Sequence, residues 1–452
     1  MNKRRVLVTG LGMVTALGLD VKSSWQKALD GVCAIGRVTG APNSPVQAVA
    51  EVNGADFLAI QERFKEDALK EGERRTMFAL QAGYSSLADA NLLEQPGQRW
   101  RMGVSLAAGL PINRLEDVAQ WLTPQGQFDI AQFGRQCSQV QKDSIMRNNS
   151  NRAAAVVARR LQLWGPNCTV TTACASATQA IGTAFRMIRD GEADVMVCGG
   201  ADSMINPVGL VFFVLLGAAC TTTDRVEEAC RPFDRRRSGL VMGEGAGLVV
   251  LEEQSHAIKR GARVYAEVAG YASSLDAYQV TAPPADGAGA VASMSGALAD
   301  SYLRPQDIDY INAHGTSTKL NDRAETLAIK EVFKGHAHEL VVSSSKSIFG
   351  HMLAASGGPE FVFTVLSVYT DEIHPTVNLT QPDPKCDLNY APGKKISYRG
   401  QSSHDKSDSL LTVTGSDSLL TVAGSVRAAL SNSFGFGGQN SSIIVKKWER
   451  RE

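Results

Sequence analysis

The stretch TVTTACASATQAIGTAFRMIRDG, residues 169–191, decides the fold because it passes from a strand to a helix within a few residues. The β-rich TVTT ends one residue before Cys174, and apolar residues then recur at helical spacing. This turn puts the Cys174 thiol at a helix N-terminus. There, unpaired N–H groups and partial positive charge lower a thiol pKa and can hold an oxyanion. The small neighbours Ala173, Ala175 and Ser176 leave room for an acyl group.

The rest of the chain predicts an α/β protein with a large buried core. It has 452 residues, 44% of them apolar, and 46 basic against 46 acidic side chains. This balance provides no long-range field for nucleic acid. Short apolar runs such as RVLVT, DVMVCGG and ELVVSSS alternate with longer segments of helical period, which indicates mostly buried sheets.

Cysteine usage and the N-terminus predict a reduced, cytoplasmic protein. The eight cysteines include no CxxC pair and no nearby pair of histidines, so we expect no structural zinc site. The basic N-terminus precedes a short apolar stretch that is broken by glycines, unlike a signal peptide. The longest apolar run, residues 208–220, is too short to span a bilayer of about 30 Å as a helix. We expect a buried or interface helix there and no membrane span.

The sequence divides into two similar halves, residues 1–258 and 259–452. Each half contains strands that are followed at once by reactive-looking residues and a helix. A tandem duplication, SDSLLTVTG at 407–415 and SDSLLTVAG at 416–424, predicts a loop insertion over 401–424. Surface loops absorb such insertions at small entropic cost. The two LLTV pieces are candidates for a small hairpin.

Further polar residues follow strand-like runs in the second half. His314 follows DYINA, and His351 follows VVSSS, with Lys346 five residues earlier. A lone buried cysteine or a lone histidine is usually structural. Two histidines and a lysine at parallel strand ends, with a candidate thiolate, form a set suited to thioester chemistry. The motif NSFGFGGQN at 432–440 permits close backbone approach, and Phe434 offers a backbone N–H and a movable side chain.

Together these motifs resemble the β-ketoacyl-acyl-carrier-protein synthases, the decarboxylating condensing enzymes of the thiolase superfamily. The likeness covers nearly the whole chain apart from the insertion. The segments that carry it are VTGLGMVTALG at 8–18, TTACASATQAIG at 171–182, RPFDRRRSGLVMGEGAGLVVLE at 231–252, TAPPADG at 281–287, HGTSTKLND at 314–322, SKSIFGHMLAASGG at 345–358 and NSFGFGGQN at 432–440. The resemblance implies a thiolase-like α/β fold, with two similar halves in a five-layered αβαβα arrangement.

The resemblance assigns a role to each candidate residue. Cys174 takes the acyl chain as a thioester, with the backbone N–H groups of Cys174 and Phe434 as the oxyanion hole and the Phe434 side chain as a gate. Both histidines bind a malonyl thioester carbonyl as neutral Nε2–H donors and stabilise the enolate left when carbon dioxide departs. Lys346 lies near His351, with Glu360 as its carboxylate partner. The implied reaction is a decarboxylative Claisen condensation in fatty acid elongation.

Other residues match supporting positions by the same comparison. Thr316 and Thr318 resemble the threonines that hydrogen-bond the pantetheine arm. Arg74 and Arg75 fall where relatives place basic residues for an acidic carrier protein; an ordinary solvated helix face is the alternative. Positions that surround a structural monovalent cation in some relatives are Asn312, Glu325, Glu360, Ser431 and Asn432.

The resemblance also implies the partners. The substrates are malonyl and acyl thioesters on an acyl carrier protein, which brings its own phosphopantetheine. We therefore expect no required cofactor and no catalytic metal. Relatives are dimers, so a homodimer is expected, with a heterodimer containing a second ketosynthase-like subunit as the alternative. No nucleic acid partner is expected.

Several departures from the family pattern keep a second function open. Lys319 replaces the usual proline, and Ala354 and Ser356 replace usual glycines near the second histidine. With the very apolar segment at 209–225, they leave open the ketosynthase subunit of a type II polyketide synthase, working with a chain-length-factor partner. A chain-length factor itself would lack Cys174. A nicotinamide-dependent oxidoreductase is disfavoured because TGLGMVTALG lacks the third glycine of GxGxxG.

Overall fold

The computed structural model describes residues 4–41, 43–94, 99–110, 119–140, 147, 149–221, 225–399 and 419–449. Within these residues the helices are α1 (Val21–Leu29), α2 (Gly54–Arg63), α3 (Lys65–Glu71), α4 (Arg74–Asp89), α5 (Ile130–Gln136), α6 (Arg152–Leu161), α7 (Ser176–Arg189), α8 (Pro207–Leu215), α9 (Gln254–Lys259), α10 (Ala288–Ser301), α11 (Lys319–Phe333), α12 (Lys346–Phe349) and α13 (Gly357–Thr370). The strands are β1 (Val6–Val14), β2 (Gly36–Arg37), β3 (Ala48–Ala50), β4 (Met102–Ala108), β5 (Asn167–Val170), β6 (Val195–Asp202), β7 (Met242–Gly243), β8 (Gly245–Glu253), β9 (Ala266–Leu275), β10 (Tyr310–Asn312), β11 (Val341–Ser343), β12 (Glu372–Ile373), β13 (Lys395–Arg399), β14 (Leu419–Ala423), β15 (Ala428–Gly435) and β16 (Gln439–Lys446).

The central feature is a 10-stranded sheet in the order β11-β10-β15-β16-β9-β1-β8-β6-β4-β5. The strand order is the same in both halves when it is read outward from the β1–β9 junction. In each half the first strand in the chain is followed by the fifth, fourth, second and third strands of that half of the sheet, as β1-β8-β6-β4-β5 and as β9-β16-β15-β10-β11. The two sets meet where β1 pairs antiparallel with β9. This repeated topology shows the two similar halves that the sequence predicts without residue identity.

Helices cover both faces of each half and one helical layer is shared. α7 and α13 pack against each other and contact strands of both halves, so they form the middle layer. Helices α4 and α6 cover the outer face of the first half, and α10 and α11 cover the second. The layers therefore alternate αβαβα, and the predicted thiolase-like architecture is confirmed. The middle helices are buried because they face sheets on two sides, and α13 is buried at Gly357 through Val368.

A small second sheet lies beside the C-terminal half, in the order β12-β13-β14. The second LLTV copy, at 419–422, forms most of β14 and pairs in parallel with β13. The first copy, at 410–413, and most of the predicted insertion lie outside the described residues. The second copy is therefore part of a sheet with strands from elsewhere in the chain.

The apolar run near residue 208 forms α8. Asn206 caps it by accepting from the Gly209 N–H, and Pro207 occupies the first turn, where a missing N–H costs nothing. Its apolar side chains Val211 and Leu215 are 56% and 81% exposed, so of the two expectations the helix is not the fully buried one, and the interface expectation stays a prediction. Among the described residues, no helix is long and apolar enough to cross a membrane.

Candidate active site

Cys174 lies at a sharp turn between β5 and α7. Ala173 before it has a φ of 49°, in the left-handed region that residues with a Cβ rarely adopt. The Ser176 hydroxyl donates to the Ala173 carbonyl at 2.6 Å and accepts from the Thr172 N–H at 2.7 Å. These two hydrogen bonds hold the strained turn, which presents the sulfur at the N-terminus of α7.

Two histidines from the C-terminal half lie opposite this sulfur. His314 follows β10, and His351 follows the short helix α12 after β11. The Cys174 sulfur and one nitrogen from each ring all lie within 4.8 Å of one another. The two rings meet edge to face, with centroids 5.4 Å apart. The fold thus brings together three side chains that are far apart in the sequence.

Hydrogen bonds at Nδ1 fix the tautomer of both histidines. His351 Nδ1 accepts from the Leu353 N–H at 3.0 Å, and the Ser356 hydroxyl lies 2.7 Å from the same nitrogen. His314 Nδ1 lies 3.2 Å from the Lys346 ammonium. Because each Nδ1 accepts, the proton of each neutral ring is on Nε2. Burial and the Lys346 charge lower the pKa of both rings well below the ordinary value, so both are neutral donors near pH 7.

The same hydrogen bonds bear on metal binding. The Cys174 sulfur and the two ring nitrogens are close enough together to hold a metal ion. A histidine ligates a metal through a ring lone pair. Here each Nδ1 lone pair accepts a hydrogen bond and each Nε2 carries a proton. The arrangement therefore suits donation to an oxygen better than ligation of a metal.

The thiol is not the thiolate that the sequence predicts. Cys174 is 6% exposed, and burial raises its pKa to about 11. The Lys346 charge and the Phe436 N–H oppose this shift without cancelling it. The predicted lowering of the pKa at the helix N-terminus is therefore wrong. Removal of the sulfur from water outweighs the nearby positive charge.

The backbone donor next to the sulfur also differs from the prediction. The N–H that reaches the Cys174 sulfur belongs to Phe436, not to Phe434. Phe434 lies within β15 and is buried, with its ring 5.8 Å from that of His314. Phe436 follows the strand and is only half-buried. A Cβ on Gly435 would lie 3.0 Å from the Cys174 nitrogen, so glycine keeps that N–H open.

These groups line one cavity of about 380 Å³. Its wall runs from buried His314 and Thr316 to half-buried Thr318 and exposed Lys319 at the mouth. The hydroxyls of Thr316 and Thr318 lie 2.9 Å apart. The sulfur of Cys174 is therefore buried but reachable through a channel lined on one side by hydroxyl groups.

Comparison with known proteins identifies the family. Residues 3–257 match the β-ketoacyl synthase N-terminal domain, and residues 265–380 match the β-ketoacyl synthase C-terminal domain. The chain belongs to the β-ketoacyl synthase family. It is 38% identical over 452 residues to the 3-oxoacyl-[acyl-carrier-protein] synthase 2 of Synechocystis sp., with 99% of each chain covered.

Solved ketosynthases share the fold of this β-ketoacyl synthase. One is AntDE:AntF, described as a type II PKS acyl-carrier protein in complex with its ketosynthase bound to the hexaketide. Its TM-score is 0.83 at 30% identity, with 99% of this chain and 100% of that chain covered. The ishigamide ketosynthase/chain length factor has a TM-score of 0.80 at 28% identity, with the same coverage of both chains.

A buried charge pair supports the histidines of this synthase. Lys346 and Glu360 form an ion pair in which both side chains are almost completely buried. Glu360 is therefore the partner that the sequence predicts. The Lys346 ammonium hydrogen-bonds His314, however, and not the nearer residue in sequence, His351. Lys346, which follows β11, thus contacts the imidazole of His314, which follows the neighbouring strand β10.

The five residues predicted around a cation are all buried, and one of them, Glu360, belongs to this charge pair. Glu325 accepts from the N–H groups of His314 and Gly315, each at 2.8 Å, and burial raises its pKa to about 7. Asn432 donates to Glu325 at 3.3 Å. The five are Asn312, Glu325, Glu360, Ser431 and Asn432.

The two arginines predicted to face a carrier protein lie elsewhere. Arg75 is completely buried and donates to the Leu110 carbonyl at 3.0 Å, so its assignment to the surface is wrong. Arg74 is partly exposed, but its guanidinium is bonded to both carboxylate oxygens of Glu244. The helix α4 packs one face against β1 and β8, which turns Arg75 inward. Neither arginine presents a free charge at the surface.

Sequence analysis overlooked two residues that hold this site in place. Asp202, at the end of β6, accepts from the N–H groups of Ser203 and Ala354 and so anchors the loop after His351. Burial raises the pKa of Asp202 to about 6. Arg237 is buried and donates to the carbonyls of Thr318 and Lys319 at the cavity wall. It lies in a motif that carries the family resemblance, but nothing in its spacing indicated this role. An acidic residue after the strand DVMVCGG was the available signal for Asp202.

Proposed function

We propose that this protein is a β-ketoacyl-[acyl-carrier-protein] synthase that elongates fatty acyl chains by decarboxylative Claisen condensation. The observation that carries the proposal is the meeting of one cysteine sulfur and two neutral imidazoles within 4.8 Å at the inner end of a cavity. A cysteine hydrolase needs one histidine with an orienting carboxylate or amide. Two histidines that both donate to oxygen suit a reaction in which an enolate forms.

The first half-reaction loads the acyl chain. The Cys174 sulfur attacks the thioester carbonyl of an acyl group that the carrier protein presents on its phosphopantetheine arm. The carbon–sulfur bond to pantetheine breaks, a new one forms to Cys174, and the thiol proton ends on the departing pantetheine sulfur. The N–H groups of Cys174 and Phe436 are positioned to stabilise the oxyanion that forms on the carbonyl oxygen.

The second half-reaction forms the carbon–carbon bond. The Nε2–H groups of His314 and His351 hold the thioester carbonyl of a malonyl unit while its carboxylate leaves as carbon dioxide. The resulting enolate carbon attacks the acyl carbonyl on Cys174 and expels the sulfur. Because burial raises the pKa of Cys174 to about 11, the expelled thiolate then takes up a proton from water.

A monovalent cation behind the active site belongs to the same proposal. Glu360 Oε2 and Ser431 Oγ are buried, and neither has a hydrogen-bond partner within the described part of the chain. Unpaired buried oxygens are costly, and a hard cation would satisfy both. The expected result is a higher unfolding temperature in potassium or sodium chloride than in tetramethylammonium chloride at equal ionic strength. Equal unfolding temperatures would argue against this cation.

The test of the main proposal uses three cysteine variants. Native enzyme and Cys137→Ala, an exposed cysteine outside the cavity lining, should show an acyl adduct at Cys174 by mass spectrometry after incubation with a carrier protein loaded with an acyl thioester. Cys174→Ala should show neither adduct nor elongation. Cys174→Gln should release carbon dioxide from malonyl carrier protein without forming a β-ketoacyl product. Elongation by Cys174→Ala at a near-native rate would contradict the proposal.

The alternative is the ketosynthase subunit of a type II polyketide synthase. Its support is the similarity to AntDE:AntF, at 30% identity over nearly the whole chain. The two functions differ in product and in assembly. A fatty acid enzyme should form one β-ketoacyl product from acyl and malonyl carrier proteins without another ketosynthase-like subunit. A polyketide subunit should require such a subunit and then add several malonyl units without reduction.

A further inference from the structure

The mouth of the active-site cavity carries a lysine that the reaction steps do not use. Lys319 lines the same cavity as Cys174 and is its one lysine or arginine among the described residues. Its side chain is exposed, and its ammonium has no hydrogen bond or ion pair within the described part of the chain. The one carboxylate of the described lining, Asp276, is already bound by the Asn440 amide at 2.7 Å.

The backbone beneath Lys319 is held firmly. Arg237 is fully buried and donates to the carbonyls of Thr318 at 3.0 Å and Lys319 at 3.3 Å. Asp322 and Asp383 balance its charge at 3.2 and 2.9 Å. This buried ion cluster fixes where the Lys319 side chain begins. The ammonium then reaches solvent from a defined point at the rim of the cavity.

The electrostatics of α11 favour an anion at the same place. α11 begins at Lys319, and Thr318 provides no side-chain cap because its hydroxyl contacts that of Thr316. The first N–H groups of a helix lack intrahelical partners and carry partial positive charge. A lysine at this position adds to that charge and lowers helix stability unless an anion is present. The acid of the first turn, Asp322, is buried and already pairs with Arg237.

We propose that Lys319 and the first turn of α11 bind the phosphate of the phosphopantetheine arm. This inference rests on the proposed function, in which that arm enters the cavity. Its thiol end must reach Cys174, and its phosphate lies at the opposite end, nearest the carrier protein. The wall passes from buried Thr316 through half-buried Thr318 to exposed Lys319, so the phosphate reaches the rim where this charge lies. Helix N-termini with a nearby lysine are common phosphate sites.

The test compares pantetheine with 4′-phosphopantetheine, each used as its S-methyl thioether so that no free thiol consumes iodoacetamide; the two compounds differ only in the phosphate. Each compound protects Cys174 from iodoacetamide when it occupies the cavity, and mass spectrometry of the Cys174 peptide gives a Kd. For the native enzyme we expect phosphopantetheine to bind about fivefold more tightly, which corresponds to about 1 kcal/mol. Lys319→Gln should remove this difference and leave the Kd of pantetheine unchanged, while Lys319→Arg should retain it.

The matched control is Lys385→Gln, an exposed lysine outside the cavity lining. It should leave both Kd values unchanged, and higher salt should reduce only the advantage of phosphopantetheine. Equal protection of the native enzyme by both compounds would overturn the phosphate site and leave the proposed function intact. So would an equal weakening by Lys319→Gln and Lys385→Gln. If neither compound protects Cys174, the arm does not enter the cavity, and the proposed function fails as well.

Discussion

The two halves of the molecule share a strand order but present different chemistry at corresponding strand ends. In the first half, β5 leads to α7 through residues 171–175, which include Cys174. In the second half, β11 leads to α13 through residues 344–356, a longer segment that includes Lys346 and His351. The short connection supplies a nucleophile and the long one supplies hydrogen-bond donors. A repeated fold therefore needs only different connections to divide one reaction between its halves.

Burial shifts the pKa of the reactive side chains in opposite directions in the two halves. It raises the pKa of the Cys174 thiol and lowers the pKa of His314 and His351, so all three groups are neutral near pH 7. In each case the uncharged form is favoured because the charged form loses its hydration. The full charges that act on Cys174 are those of Lys346, Glu360 and Asp202. The comparison between the halves predicts that acyl loading on Cys174 and decarboxylation at the histidines can be abolished separately by substitutions in one half.

The largest effect is expected from His351→Ala in a Cys174→Gln background, where only decarboxylation is measured. Loss of one oxyanion donor should reduce carbon dioxide release from malonyl carrier protein by about 10²- to 10³-fold. His338→Ala, at an exposed position outside the site, is the control and should not change the rate. Undiminished release after His351→Ala would show that the second half does not supply the decarboxylation chemistry.

Lys346→Met should reduce stability as well as condensation. It leaves Glu360 buried without its partner, and breaking such a pair costs about 3–5 kcal/mol in the free energy of unfolding. The double variant Lys346→Met/Glu360→Gln should recover much of that stability but not the activity, because His314 still lacks its donor at Nδ1. Urea unfolding and condensation rates measure the two effects. Equal instability of the single and double variants would contradict this assignment.

The pH dependence of Cys174 alkylation tests the raised pKa. Only the thiolate reacts with iodoacetamide, and the pKa is about 11, so the rate should rise about tenfold per pH unit from pH 7 to 9.5 without levelling. A thiol with a pKa lowered by the helix N-terminus would reach a plateau below about pH 8.5. A plateau by about pH 8.5, seen by mass spectrometry of the Cys174 peptide, would restore the sequence-based expectation.

The smallest effect is expected from Ser356→Ala. Its hydroxyl lies 2.7 Å from His351 Nδ1, but the Leu353 N–H at 3.0 Å would still hold the tautomer. Decarboxylation should therefore fall by only about threefold, in line with the loss of one neutral hydrogen bond. A loss as large as that of His351→Ala would mean that the Leu353 N–H alone does not position the ring.

Much of the fold was predictable because its signals are local. Apolar runs such as DVMVCGG and GLVVLE are β6 and β8 in the structure, and the helix after Cys174 is α7. The position of Arg75 was not predictable, because the side of α4 that faces the sheet depends on packing between distant segments. The choice between Phe434 and Phe436 was not predictable either. Both are in one glycine-rich motif, and only the path of the chain after β15 decides which N–H reaches the sulfur.

By itself, the sequence determined the succession of strands and helices and the identity of the reactive residues that follow them, since periodicity and turn chemistry act over a few neighbours. The tertiary structure alone decided the protonation of Cys174 and the histidines, because burial arises from segments hundreds of residues apart. It also decided the left-handed backbone at Ala173, Ser317 and Leu353, one in each loop of the site. None of these three positions is a glycine, the residue that usually indicates a left-handed backbone, so hydrogen bonds and packing around them impose the conformation.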